Sequence, residues 1–158
     1  MSHYHLYDKQ KEFAVLLGET LVSVTGEAGS DEMRFVTESG KTYVLYHSQD
    51  CCESVSIDSI VGDLQDLIGN PLLLAEEVSS GDRPADVPTP EYVESETWTF
   101  YKLATIKGYV DIRWFGSSNG YYSESVSFEL LEEKDDCSVI DMNLREVREI
   151  PGAPKLLN

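Results

Sequence analysis

Polar residues open the chain, and the first apolar positions with a readable spacing are Phe13, Leu16 and Leu17 within DKQKEFAVLL (8–17), with Gly18 placed to stop a helix. The spacing predicts a short helix. From Glu19 the period shortens toward two. Leu21, Val22 and Val24, then 33–37 (MRFVT), then 42–46 (TYVLY) are separated by turn residues at 26–30 and at Ser39-Gly40. These read as three antiparallel strands in a meander. CCESVSI (51–57) alternates and predicts a fourth strand, after which Asp58 is placed to cap a second helix carrying Ile60, Val61, Leu64, Leu67 and Ile68 as far as Gly69-Asn70.

PLLLAEEV (71–78) predicts another strand, and 79–96, rich in Pro and acids with little to bury, predicts an exposed acidic loop. Three more strands follow at 97–106, 107–115 and 121–130, with Lys107-Gly108 and Asn119-Gly120 as hairpin turns. Beyond Leu131 a charged break, EEKDD, leads to a tail whose mixed periodicity fits a strand or a short helix. The expectation is an α+β fold: a mainly antiparallel sheet of about six to eight strands with two short helices packed on it. At 158 residues the chain fits a single domain, with its core between about 9 and 131 and a C-terminal extension over 132–158. The segment Glu53-Ser54-Val55-Ser56-Ile57 is echoed by Glu124-Ser125-Val126-Ser127-Phe128. Two strand units facing one another would give that echo, and so would the common alternation of half-buried strands.

Charge changes the picture more than composition does. Apolar residues make up 41% of the chain, which is ordinary for a folded domain, whereas 29 acids against 12 bases give a net charge of −17. Residues 31–100 hold −12 of it, and residues 101–130 are neutral. With so few Lys and Arg to displace counterions, direct binding to nucleic acid is not expected. A field of this sign favours solubility and steers the protein toward basic surfaces or cations. The start, MSHYHLYDKQKEF, shows no basic segment followed by a long apolar one, so neither export nor membrane insertion is expected. Three cysteines, Cys51, Cys52 and Cys137, two of them neighbours that seldom bridge, point to a reducing cytoplasm.

The densest polar cluster is YHSQDCCES (46–54). His47, Asp50 and Cys51 there offer imidazole, carboxylate and thiolate, the donor types of a zinc site and of a metal-assisted hydrolase, but no second ligand pair lies downstream. The other reading packs one cysteine in the core and leaves His47 and Asp50 on a turn. A cysteine nucleophile would need His47 folded back as its base. Neither phosphate-loop motif occurs, no catalytic constellation stands out, and no cofactor is expected. Aromatic residues crowd 97–126. Trp98, Trp114, Tyr121 and Tyr122 could stack on a ligand while Lys102 or Arg113 holds its phosphate, although alternation sends about half of such residues to the core.

DCCESVSI (50–57), GDLQDLIG (62–69), LLLAEEV (72–78), WTFYKLATIKGYVDIRWFG (98–116) and SNGYYSESV (118–126) together resemble a family of small acidic proteins encoded by tailed bacteriophages and prophages. The resemblance covers residues 13–130. It implies a bacterial cytoplasm as setting and carries no catalytic residues. In that setting the leading expectation is a non-enzymatic interaction protein that blocks a host defence or nucleic-acid-handling protein, with Asp63, Asp66, Glu76 and Glu77 as an acidic face standing in for DNA phosphates. The alternative is a sponge for a signalling nucleotide built on the aromatic strands, for which homo-oligomerisation would help to form a pocket.

Overall fold

The computed structural model describes residues 10–133 apart from Val93. Eight strands follow in chain order: β1 (Leu21–Thr25), β2 (Glu32–Thr37), β3 (Lys41–Tyr46), β4 (Ser54–Val61), β5 (Leu74–Ser80), β6 (Ser95–Thr105), β7 (Gly108–Ser118) and β8 (Ser127–Glu133). Two single-turn 3₁₀ helices, η1 (Phe13–Leu16) and η2 (Leu64–Leu67), are the helical elements among these residues. The strands form two antiparallel four-stranded sheets, ordered β1-β2-β3-β8 and β4-β7-β6-β5.

The two sheets share one core. Met33, Phe35, Tyr43, Leu45 and Phe128 come from the first sheet, and Ile57, Tyr101, Leu103, Ile112 and Trp114 from the second. On each strand the alternate residues point outward, as the period of two requires. The architecture is therefore an all-β sandwich, and the expected α+β class is wrong.

The reason lies in the two segments predicted to be helices. In the described part of 8–17 the apolar triplet is too short to nucleate an α-helix, and Phe13–Leu16 closes a single turn. Phe13 instead acts as a plug between the sheets, with its ring 5.1 Å from Phe128, 5.9 Å from Phe35 and 4.7 Å from Tyr101. In the second segment β4 runs on through Ile60 and Val61, where β-branched residues favour extended backbone. Ile60 packs against the core while Val61 is 65% exposed. Gly62 then breaks the strand with φ at +107°, and a Cβ there would lie 2.5 Å from the Tyr109 carbonyl oxygen. Asp63, not Asp58, caps the turn that follows, accepting from the Gln65 backbone N–H at 2.9 Å. Asp58 marks the register shift of β4 against β7. The predicted tail beyond Glu133 lies outside the described residues. No helix among those residues is long and apolar enough to cross a membrane.

Candidate functional site

Among the described residues, three places hold the residues singled out by sequence. The first is the turn between β3 and β4. Glu53 is buried at 4% exposure yet accepts four hydrogen bonds or contacts from its own turn: His47 Nε2 at 2.6 Å, the Asp50 N–H at 2.8 Å and the Cys51 N–H at 2.9 Å close on its carboxylate, while Gln49 Nε2 donates to its carbonyl at 2.6 Å. The His47 contact above all, and the backbone donors after it, outweigh burial and bring the Glu53 carboxyl down to about 2. His47 Nδ1 faces the Ser125 carbonyl at 2.7 Å. Both ring nitrogens therefore face oxygen atoms.

This turn is a structural clasp. Cys51 and Cys52 are exposed and bridged to each other, contrary to the expectation from their adjacency, so Cys51 offers no thiolate. The Asp50 side chain is exposed, and His47 is turned to Glu53. Among the described residues no group of three His, Cys, Asp or Glu side chains is placed to hold a metal. The echoed segment repeats the device. Glu124 is 7% exposed, and although burial works to raise its carboxyl, the Ser118, Ser95 and Thr97 hydroxyls together hold it below its usual value. Ser118 donates at 2.5 Å and Thr97 at 2.8 Å. The two echoed strands lie in opposite sheets, and His47 ties one to the other through Ser125.

The second place is the outer face of the second sheet. Trp98 is 1% exposed there, tilted against Phe115 with 4.5 Å between ring centroids, and both Arg83 and Arg113 stand over its ring. Arg113 donates to Asp58 at 2.9 Å and to both oxygens of Asp86 at 3.0 and 3.2 Å. Arg83 holds Glu96 and the Pro88 carbonyl. The acidic loop predicted at 79–96 thus carries mostly exposed residues but is clamped to the sheet at Arg83 and Asp86. Lys102 shares this face, opposite Asp111 and Glu76 in the strand register. Trp114 does not: it points into the core on the other side of the sheet. Tyr121 is 82% exposed, packed edge to face with Tyr122 in the connection from β7 to β8. The six residues proposed to bind a ligand therefore do not line one pocket.

The third place is the free edge of β5. Asp63 and Asp66 sit on η2 beside the β6–β7 hairpin, where Thr105 donates to the Asp66 carbonyl and the Asp66 side chain fills the space that a Cβ on Gly108 would need. Glu76 and Glu77 lie on β5 as neighbours, so they project to opposite faces. The fold therefore divides the four predicted acids between two elements. It adds Glu12, which no sequence signal had marked. Lys11, Glu12 and Phe13 face Glu76, Glu77 and Val78 across an open groove of about 650 Å³ between η1 and β5. Burial raises the Glu77 carboxyl above its ordinary value, a hydrogen bond from Tyr101 works against the rise, and the charge of Glu12 adds to it. Burial likewise raises the Tyr101 phenol, and the Glu77 carboxylate beside it adds to the effect. Tyr101 is fully buried beside Glu77.

No curated protein and no solved structure matches the chain. One family model does, over residues 14–128, a stretch that runs from η1 to the core residue Phe128 and so spans both sheets. The chain belongs to the family described as a domain of unknown function, DUF7448.

Proposed function

We propose that the chain is a non-catalytic interaction protein whose acidic surface binds a protein with a basic surface of the kind that grips nucleic acid, the carboxylates taking the places of phosphates. One observation carries this reading. Between residues 10 and 133, 23 Asp and Glu stand against seven Lys and Arg, and the three arginines among them are already held by the chain's own carboxylates: Arg34 by Glu32, Arg83 by Glu96, and Arg113 by Asp58 and Asp86. Lys41 stands near Glu19 at 3.8 Å. Among the described residues such a surface has no free guanidinium for a phosphate and many carboxylates for a cation. The resemblance to acidic proteins of tailed phages supports a bacterial host protein as the partner, met in the cytoplasm of that host.

The nucleotide-sponge reading has weaker support. Arg113 would have to leave two carboxylates, Trp98 is covered, and Trp114 is in the core. A hydrolase around His47, Asp50 and Cys51 has weaker support still, because His47 is occupied by Glu53 and Cys51 by Cys52. The test is capture of partners from bacterial lysate on the immobilised protein, eluted by a salt gradient and, separately, by duplex DNA. The reading expects a nucleic-acid-binding protein released by both. Partners that stay bound in high salt and ignore DNA would reject it.

A further inference from the structure

We propose that the groove between η1 and β5 is the docking site for an extended, basic segment of the partner, which adds to β5 as a further strand of the second sheet. The proposal rests on the acidic-interaction reading and gives it a location. Three observations meet here. β5 ends its sheet, and among the described residues no strand pairs with its free side, so a row of backbone N–H and C=O groups is available for pairing. The groove beside it is lined by residues that include Glu12, Glu76 and Glu77 against one lysine, Lys11, with the Glu77 carboxylate on the Glu12 side of the strand and that of Glu76 on the other. Val78 in the same strand and Val15 in η1 are 47% and 41% exposed, apolar ground for the stems of long cationic side chains.

Adjacent acids on an edge strand also repel other edges, which keeps the isolated protein from associating through β5. The same charges select the one class of strand that the edge attracts. A strand carrying Lys or Arg at alternate positions would set its cations against Glu77 and Glu12 on one side and Glu76 on the other, as the period of two requires. A cation beside Glu77 and Glu12 would also relieve the repulsion between those two carboxylates.

The experiment is fluorescence anisotropy of the full chain with a labelled ten-residue peptide alternating Lys and Val, compared with the same peptide N-methylated at alternate backbone nitrogens. Two methylated versions, one for each edge of the peptide, keep the charge and remove the donors of one edge. The proposal expects the parent peptide to bind, one methylated version to bind at least about tenfold more weakly, and the other to resemble the parent. Glu77→Gln should weaken parent binding by about threefold without lowering the melting temperature, which separates loss of the site from loss of the fold. Equal binding of all three peptides would overturn strand addition while leaving the acidic-surface reading intact. No binding by any of them would overturn the groove as well, and the salt-released partner of the lysate experiment would then decide the wider reading by itself.

Discussion

Glu53 is a buried carboxylate that the local sequence does not announce. It opens an alternating strand, and alternation alone says only that a side chain points inward or outward. What makes burial tolerable is a turn that folds His47 and two backbone N–H groups onto it. The echo at Glu124 was the available signal, since both copies place a carboxylate inward beside donors from the same end of the sandwich. The sign of the pH effect follows from the direction of the shift. A carboxyl whose folded value is lowered, here to about 2, contributes stability that is complete above its unfolded value and is lost as pH falls toward the folded one. Thermal melts of the wild type should therefore fall between about pH 5 and pH 2, and Glu53→Gln should melt lower at neutral pH with a flatter acid limb. An acid limb unchanged by the substitution would mean that the clasp does not hold the turn. Glu77 behaves in the opposite sense. Its raised carboxyl is ionised at a cost in the free protein, so Glu77→Gln should melt at the same temperature or higher at neutral pH.

Strands were far more legible than helices, and the physical reason is length. The segments over 21–46 and 95–118 each bring several alternations and turn residues, and they fold as β1, β2, β3, β6 and β7 where the pattern places them. The second predicted helix rested on five apolar residues whose helical spacing comes from two elements read as one: Ile60 and Val61 belong to β4, Leu64 and Leu67 to η2. Gly62 is the joint. Gly62→Ala must place a Cβ at positive φ against the Tyr109 carbonyl, and it should destabilise the fold by at least about 1–3 kcal/mol in denaturant unfolding. A continuous helix through this position would instead gain from alanine. Composition gives the expectation of an exposed loop at 79–96, but the sequence has no means to pair Arg113 with Asp86, residues 27 apart. Arg113→Ala removes that clamp and the link to Asp58 together. Limited proteolysis should then cut between residues 81 and 94 well before the wild type is cut, with little change in melting temperature. Equal cutting rates would show that the clamp contributes nothing to loop order.

Taken whole, the molecule separates stability from charge. Its stability resides in one apolar core between two sheets, with Trp114, Tyr101 and Phe35 fully buried, while its charge is an excess of carboxylates over a surface on which the three arginines among the described residues are paired. That division makes the surface free to serve binding, since substitutions there touch no core contact. The acidic excess was plain in the composition. Its layout was not, because which acids share an edge depends on strand order, and Glu12 meets Glu77 only once η1 has packed on β5. The central claim is that this excess drives association with a basic protein surface. Its most direct measurement is the dissociation constant of the captured partner over a series of salt concentrations at fixed pH. The affinity should fall steeply and steadily as salt rises, with duplex DNA competing for the same partner. An affinity that holds constant across the series, undisturbed by DNA, would contradict it.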